Sequence, residues 1–364
     1  MTLILEYYIF TTNDCNLNCA YCSILLNMEN GFFPKEPSYS LTELNEFINV
    51  TQIRYNDDIA DIIFFGGEPT LNYHFIQDVI KSQKTLSNVP YKFHYMLHTN
   101  GLLLQEISDE ILDTLDSIML SVNYDKIPHN GLNVGYFSNI TAAIRCIRKK
   151  KSLPIVGRFT ITEKTSVYSE IALLNPFFDA LYWQIENKYL FDNYDKFYAS
   201  YTYEIDLAFN MWVNYLKKGI LIKLIPFMAA SYFLMHEQKV DDFCCGYNKS
   251  MLYIQTNGQC YTCAEDMTTT QNLIGTINET IQFEDFGIKD TLCYNCPYLR
   301  MCLGRCGRMH KEFKPEHILE YCKLNRFLFD LIKKNIAKIL YYCKKSNLSL
   351  ELSDSIFHYT EYTS

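Results

Sequence analysis

Between residues 3 and 186, strand-like and helix-like segments alternate six times, and this alternation limits the fold more than any other feature of the 364 residues. Residues 3–11 are β-branched and aromatic and end at Thr12-Asn13-Asp14. A helix is predicted from Ser40, because Ser40 and Glu43 have capping-box spacing and Leu41, Leu44, Phe47 and Ile48 form an apolar stripe. Strands follow at 61–65, 91–98, 117–123, 154–162 and 181–186, with helices at 73–86, 108–115, 137–151 and 168–174 between them. Strands joined through helices pair in parallel, so the expected fold is α/β, a partial (β/α)6 barrel with its helices outside.

The alternation stops after Asn187. A Tyr-rich helical stretch runs to Leu216, residues 220–227 look strand-like, a cysteine-rich region begins at Cys244, and residues 324–342 have a helical period with lysines outside. The expected division is a barrel over 1–187, a bridging segment over 188–243, a cysteine-rich auxiliary domain with a closing helix over 244–342, and a weakly ordered tail over 343–364. Lys and Arg number 33 against 41 Asp and Glu, and the net charge of −8 argues against nucleic-acid binding, which needs cations for the phosphates. No secretory pattern stands at the start, and the longest apolar run, 224–235, is too short to span a bilayer. A cytoplasmic protein away from membranes is expected.

Fourteen cysteines in a cytoplasmic chain of this length call for something other than disulfides. Cys15, Cys19 and Cys22 have C-x3-C-x2-C spacing directly after the first strand, where a barrel carries catalytic loops. Three thiols are an odd number for structural zinc, which closes with four ligands; a cubane iron–sulfur cluster on three thiolates leaves one iron open. The plain alternative is three ordinary buried thiols. Nine more cysteines lie between Cys244 and Cys322, in the series Cys245, Cys263, Cys293-x2-Cys296-x5-Cys302-x3-Cys306 and Cys322, with Cys244 and Cys260 to spare. Zinc ribbons use such spacings too. Cys146 and Cys343 fall in helical patterns and read as small buried hydrophobes.

The run Cys15-Asn-Leu-Asn-Cys19-Ala-Tyr21-Cys22 resembles the signature of the radical S-adenosylmethionine superfamily, and Gly66-Gly67-Glu68-Pro69 resembles its GGEP motif, whose glycines let the backbone approach the methionine amine. Thr99-Asn100-Gly101, Ser121 and Arg158 stand where members carry similar residues. The resemblance implies that Tyr21, Gly66, Gly67, Glu68, Asn100, Ser121 and Arg158 bind the cofactor, Ser121 and Arg158 at its carboxylate. At Asn123-Tyr124 the chain departs from the Asp-Gly of many relatives.

The C-terminal cysteines resemble the SPASM extension of peptide- and protein-modifying members, and Leu273-Ile-Gly275-Thr-Ile277 resembles its Gly-Asn-Ile stretch. That resemblance implies two auxiliary four-iron clusters, an outer one on Cys293, Cys296, Cys302 and Cys322 and an inner one on Cys245, Cys263 and Cys306. Cys260 is preferred as fourth inner ligand because Cys260-x2-Cys263 suits a turn toward one metal centre; Cys244 and an open iron are the other choices.

By the same resemblance the enzyme takes an electron from a flavodoxin or ferredoxin, cleaves S-adenosylmethionine, and abstracts hydrogen from a ribosomally made peptide to install a thioether or carbon–carbon crosslink. Fourteen residues precede Cys15, so a leader peptide is expected to be recognised elsewhere or by a separate protein. The alternative is an anaerobic sulfatase-maturating enzyme, which oxidises Cys or Ser to formylglycine. In that family the catalytic Asp directly follows the cysteine matching Cys263; this chain has Ala264 there, and the displaced Glu265 and Asp266 are the candidate catalytic carboxylates. A non-enzymatic zinc or electron-transfer protein is the remote alternative.

Overall fold

A computed structural model of the chain describes residues 4–19, 22, 24, 33–87, 89–122, 132–187, 190–236, 240–268 and 272–352. The predicted alternation is present: β1 (Leu5–Thr12), α1 (Leu41–Tyr55), β2 (Ile59–Gly66), α2 (Tyr73–Lys84), β3 (Lys92–Thr99), α3 (Asp109–Thr114), β4 (Ser117–Ser121), α4 (Leu132–Lys150), β5 (Ile155–Ile161), α5 (Val167–Leu174) and β6 (Ala180–Ile185). The capping box forms as the sequence predicts, with the Ser40 amide donating to Glu43 Oε2 at 2.7 Å and the Glu43 amide to Ser40 Oγ at 3.2 Å. Asn56 closes α1 in the left-handed conformation at φ 51°, a C-terminal stop that Asn tolerates.

The chain divides into two compact units, drawn from 1–121, 126–154 and 246–285 and from 122–125, 155–245 and 286–364. The first holds a sheet in the order β4-β3-β2-β1-β7-β8-β9, where β7 is Met251–Ile254, β8 Gln259–Tyr261 and β9 Leu273–Thr276. β1 to β4 and β7 run parallel, while β8 and β9 turn back antiparallel. Tyr7, Ile9, Ile62, Ile63 and Phe64 are fully buried, as expected of strands covered on both faces. Tyr7 meets Phe47 of α1 edge-on at 6.5 Å, so its face of β1 is the one the helix covers. Tyr8 points the other way, stacking on Tyr253 at 4.3 Å and meeting Phe65 edge-on at 5.6 Å.

The second unit holds β5 paired in parallel with β6, then α5, α6 (Tyr194–Lys217), α7 (Ile225–Met235), α8 (Leu299–Cys302), α9 (Gly307–Glu312) and α10 (Pro315–Ser346). Residues 246–285 thus belong with β1–β4, whereas the sequential division grouped them with the later cysteines. Three local differences from the sequence reading have simple causes. The strand-like stretch at 220–227 gives only a single bridge, Leu224 to Leu181, before α7 begins with Pro226 in its first turn; this helix is apolar all round and buried, so it carries no helical period to read. The last helix runs well beyond 324–342, from Pro315 to Ser346, closed by Asn347 at φ 53°. Cys146 is exposed rather than a buried hydrophobe, because the buried stripe of α4 is Ile140, Ala143, Ile144 and Ile147, and Cys146 lies off it; Cys343 is buried as expected. Among the described residues, no helix is long and apolar enough to cross a membrane.

Candidate active site

At the end of β2 the backbone closes on the stem of the cysteine loop. The Gly67 amide donates to the Thr12 carbonyl at 2.9 Å and the Glu68 amide to the Asp14 carbonyl at 2.8 Å. A Cβ on Gly66, whose φ is +133°, would lie 2.2 Å from the Thr12 carbonyl oxygen, and one on Gly67 would lie 2.3 Å from that of Asp14. The room both glycines leave is filled by the residues that lead into Cys15. The same stem is tied from its other side. Asn13, 4% exposed, donates through Nδ2 to the Pro34 carbonyl at 2.8 Å and to Thr256 Oγ1 at 2.8 Å, and its Oδ1 accepts from Gln255 Nε2 at 3.2 Å. Gln255 and Thr256 directly follow β7, so the strand added to the first four helps to fix the loop.

Glu68 is 1% exposed and joins the ends of β2 and β3. Its Oε1 accepts from the Thr70 amide (3.1 Å), Thr70 Oγ1 (2.5 Å) and Thr99 Oγ1 (2.6 Å), and its Oε2 from the Asn100 amide (2.7 Å). Burial nonetheless pushes its carboxyl above the usual range. Asn100 points Nδ2 at Asn16 Oδ1 (2.7 Å) and toward Cys15 Sγ (4.0 Å), and its carbonyl accepts from the Tyr136 hydroxyl at 2.8 Å. Tyr136 also reaches the Ser121 carbonyl at 3.3 Å. Ser121 Oγ lies 3.0 Å from His98 Nε2. In the second unit, Arg158 donates through Nη2 to Gln184 Oε1.

The Cys15 thiol is pushed up to about 11 by burial first, with the Glu68, Cys22 and Cys19 charges adding to it and the Leu17 amide, 3.4 Å from the sulfur, opposing. Burial likewise raises the Tyr136 phenol, with Cys19, Glu68 and Cys15 contributing. Cys15, Cys19, Cys22, Glu68, Asn100 and Tyr136 therefore form one neighbourhood. The Cys22 amide bonds the Cys19 carbonyl at 3.0 Å, a turn that keeps these two cysteines together. Tyr21, Asn123 and Tyr124 lie outside the described residues.

Five later cysteines gather in the second unit. Cys293 is pushed up to about 12 by burial and then by Cys322 and Cys296; Cys302 is raised by burial and then by Cys293 and Cys322, against the pull of Arg305. Cys322 is raised by burial while Arg326 and Arg305 pull it down. Cys293, Cys302, Cys306 and Cys322 line a cavity together with Arg305 and His310. Cys306 Sγ lies 3.8 Å from Asn187 Nδ2, Cys296 Sγ 3.8 Å from Arg326 Nη2, and Cys293 Sγ 3.3 Å from His310 Nε2. Cys244 donates to the Arg305 carbonyl at 3.2 Å, and Cys245 is half-buried.

Cys260 stands elsewhere. It pairs in register with Ile254, which pairs with Ile9, and this places its thiol on the helix-covered face of the sheet with Tyr7. It is fully buried, its titratable neighbours are the uncharged phenols of Tyr7, Tyr39 and Tyr261, and burial alone raises it. Cys263 is half-buried, and Ala264–Thr268 form a 3₁₀ turn that carries a half-buried Glu265; the Asp266 side chain lies outside the described residues.

Among the described residues, no three His, Cys, Asp or Glu side chains lie close enough to enclose a single metal ion. The fit of an iron–sulfur cluster rests on donor chemistry: soft thiols grouped without a hard ligand, with N–H groups aimed at Cys15, Cys293, Cys296 and Cys306. Sequence reasoning missed Tyr136, His98, His310 and the Asn13–Gln255–Thr256 tie. Only Asn13 had a signal, as part of the turn that ends the first strand.

Residues 9–155 match the Radical SAM superfamily model. Over 324 residues the chain is 22% identical to the radical SAM cyclopropyl synthase TigE of Paramaledivibacter caminithermalis, covering 83% of this chain and 68% of that protein. A shorter stretch of 113 residues is 32% identical to the GTP 3′,8-cyclase of Alkaliphilus metalliredigens, covering 31% of this chain and 32% of that one. The fold is similar to that of native anSMEcpe with bound AdoMet, at a TM-score of 0.68 and 17% identity over 92% of this chain and 100% of that one. It is also similar to native anSMEcpe with bound AdoMet and Kp18Cys peptide, at a TM-score of 0.66 and 16% identity over 91% of this chain and 99% of that one. Residues 9–155 carry a radical S-adenosylmethionine domain, whose homologues are enzymes and whose fold implies a four-iron cluster and S-adenosylmethionine.

Proposed function

We propose that this enzyme is a peptide maturase of the SPASM type, which abstracts hydrogen from a ribosomally made peptide and closes a crosslink or ring. The observation that carries the reading is the grouping of Cys293, Cys296, Cys302 and Cys322, a full set of four thiols in addition to the three after β1. Likeness to a cyclopropyl synthase and to a structure holding a peptide supports it. In this reading Cys15, Cys19 and Cys22 hold the cluster that meets S-adenosylmethionine, and two auxiliary clusters use the C-terminal thiols. When bound, the cofactor supplies a 5′-deoxyadenosyl radical, which removes hydrogen from unactivated carbon.

The chain's own residues hold and shield. Glu68 keeps Asn100 against the Cys15 loop, Ser121 and Arg158 take the methionine carboxylate, and the aromatic face of Tyr8, Phe65 and Tyr253 excludes water from the reacting carbon. Glu265 and Asp266 remain the candidate proton acceptors. An electron arrives from a flavodoxin or ferredoxin.

The test uses anaerobically reconstituted protein, expected to be brown with about twelve irons as three four-iron clusters. With reductant, S-adenosylmethionine and a short Cys-, Tyr- or Ser-rich peptide found encoded beside its gene, the peptide should lose two hydrogens without forming an aldehyde. An aldehyde trapped by a hydrazine would favour formylglycine formation, and a colourless zinc protein would defeat both readings.

A further inference from the structure

His310 lies in α9 with Nε2 3.1 Å from the Gly304 carbonyl oxygen and 3.3 Å from Cys293 Sγ. A carbonyl oxygen only accepts, so the ring proton sits on Nε2 and is shared between oxygen and sulfur. The ring is held in place by more than this bond. Phe243 stacks on it at 5.8 Å, and Phe286 stacks on Phe243 at 5.9 Å. Gly304, at φ +73°, leaves the space that Phe243 fills, since a Cβ there would come within 2.9 Å of that ring and 2.5 Å of Ile288. The imidazole is therefore fixed on the wall of the cavity lined by Cys293, Cys302, Cys306 and Cys322.

We propose that His310 is the hydrogen-bond donor to the Cys293 sulfur of the outer auxiliary cluster and raises that cluster's reduction potential. This rests on the reading that Cys293, Cys296, Cys302 and Cys322 hold a four-iron cluster. A donor to a cluster sulfur stabilises the more negative, reduced state, which is the established way hydrogen bonds shift such potentials. His310 acts through Cys293 and is a positioning residue, not a ligand, because the nitrogen that faces the sulfur carries the proton.

The test is a redox titration of the reconstituted holoenzyme followed by paramagnetic resonance, with iron counted in parallel. His310→Phe keeps an aromatic ring against Phe243 and removes the N–H. It should retain the wild-type iron content and lower the outer-cluster midpoint, shifting the reduction equilibrium by about tenfold, or about 59 mV for one electron. His310→Gln, which restores an N–H, should fall between the two, and the first cluster should be unmoved in both. An unchanged outer midpoint in His310→Phe overturns the proposal, and so does loss of four irons, which would make His310 a ligand. A wild-type protein with no auxiliary signal overturns the reading beneath it.

Discussion

Replacing Gly67 by Ala would put a methyl carbon 2.3 Å from the Asp14 carbonyl oxygen and 2.7 Å from that of Asn13, where ordinary contact begins at 3.4 Å. Both neighbours are backbone, so relief requires the loop stem to retreat by about 1 Å, taking the Asp14 peptide and with it Cys15. The bonds from the Gly67 and Glu68 amides to Thr12 and Asp14 cannot keep their present lengths through that shift. Overpacking of this kind costs about 1–3 kcal/mol, and each weakened backbone bond adds about 1 kcal/mol. The larger effect is on chemistry, since a misplacement of about 1 Å at a reacting centre costs about a hundredfold in rate. Gly67→Ala should therefore fold with a lowered urea midpoint, carry less iron in its first cluster, and form 5′-deoxyadenosine about a hundredfold more slowly. Gly135→Ala is the control: nothing lies within 4 Å of that Cβ, and at this exposed position of α4 Ala should be neutral or stabilising by about 1 kcal/mol. Wild-type iron and cleavage rate in Gly67→Ala would refute the reasoning.

Asn13→Ala should lower stability by about 2–4 kcal/mol, because it removes bonds to Pro34, Thr256 and Gln255 and leaves buried partners unpaired; chemical denaturation measures this directly. Arg158→Ala should weaken S-adenosylmethionine binding by more than tenfold in calorimetry, the loss of one charge-assisted bond of about 1.5–3 kcal/mol, and unchanged affinity would remove Arg158 from the carboxylate site. The Asp61 carboxylate, 3.3 Å from His94 Nδ1, holds that imidazole above its ordinary 6.5 chiefly by hydrogen bonding. A raised imidazole contributes stability that is full below its unfolded value and is lost as pH rises through the folded one, so the urea midpoint should fall from about pH 6.5 upward. Asp61→Asn should flatten that slope, and an equally steep slope in the variant would assign the pH dependence elsewhere.

The order of β1 to β6 and the cysteine loop after β1 were legible because each rests on local pattern: aromatic and β-branched runs, Ser40 with Glu43, and fixed cysteine spacing. What escaped depends on contacts between distant residues. β7 joins β1 across more than 240 residues, and four-residue strands such as Met251–Ile254 carry too little alternation to stand out. The paired glycines were legible as a motif, but not the close packing of the chain's own loop stem against the space their missing side chains leave. Cys260 shows the limit of spacing most clearly. C-x2-C suits a turn, but Cys260 lies within β8, where pairing with Ile254 turns it toward Tyr7. Tyr136, on a helix like many another buried tyrosine, acquires its place at Asn100 and Ser121 only when the sheet is assembled.

The most direct test of the account is cleavage of the cofactor by the reduced, anaerobically reconstituted protein, with 5′-deoxyadenosine and methionine quantified against a variant in which Cys15, Cys19 and Cys22 are all Ala. The wild-type protein should form both products in equal amounts, and the variant should form neither while keeping the iron of its C-terminal thiols; undiminished cleavage in the variant would contradict the assignment of these three residues.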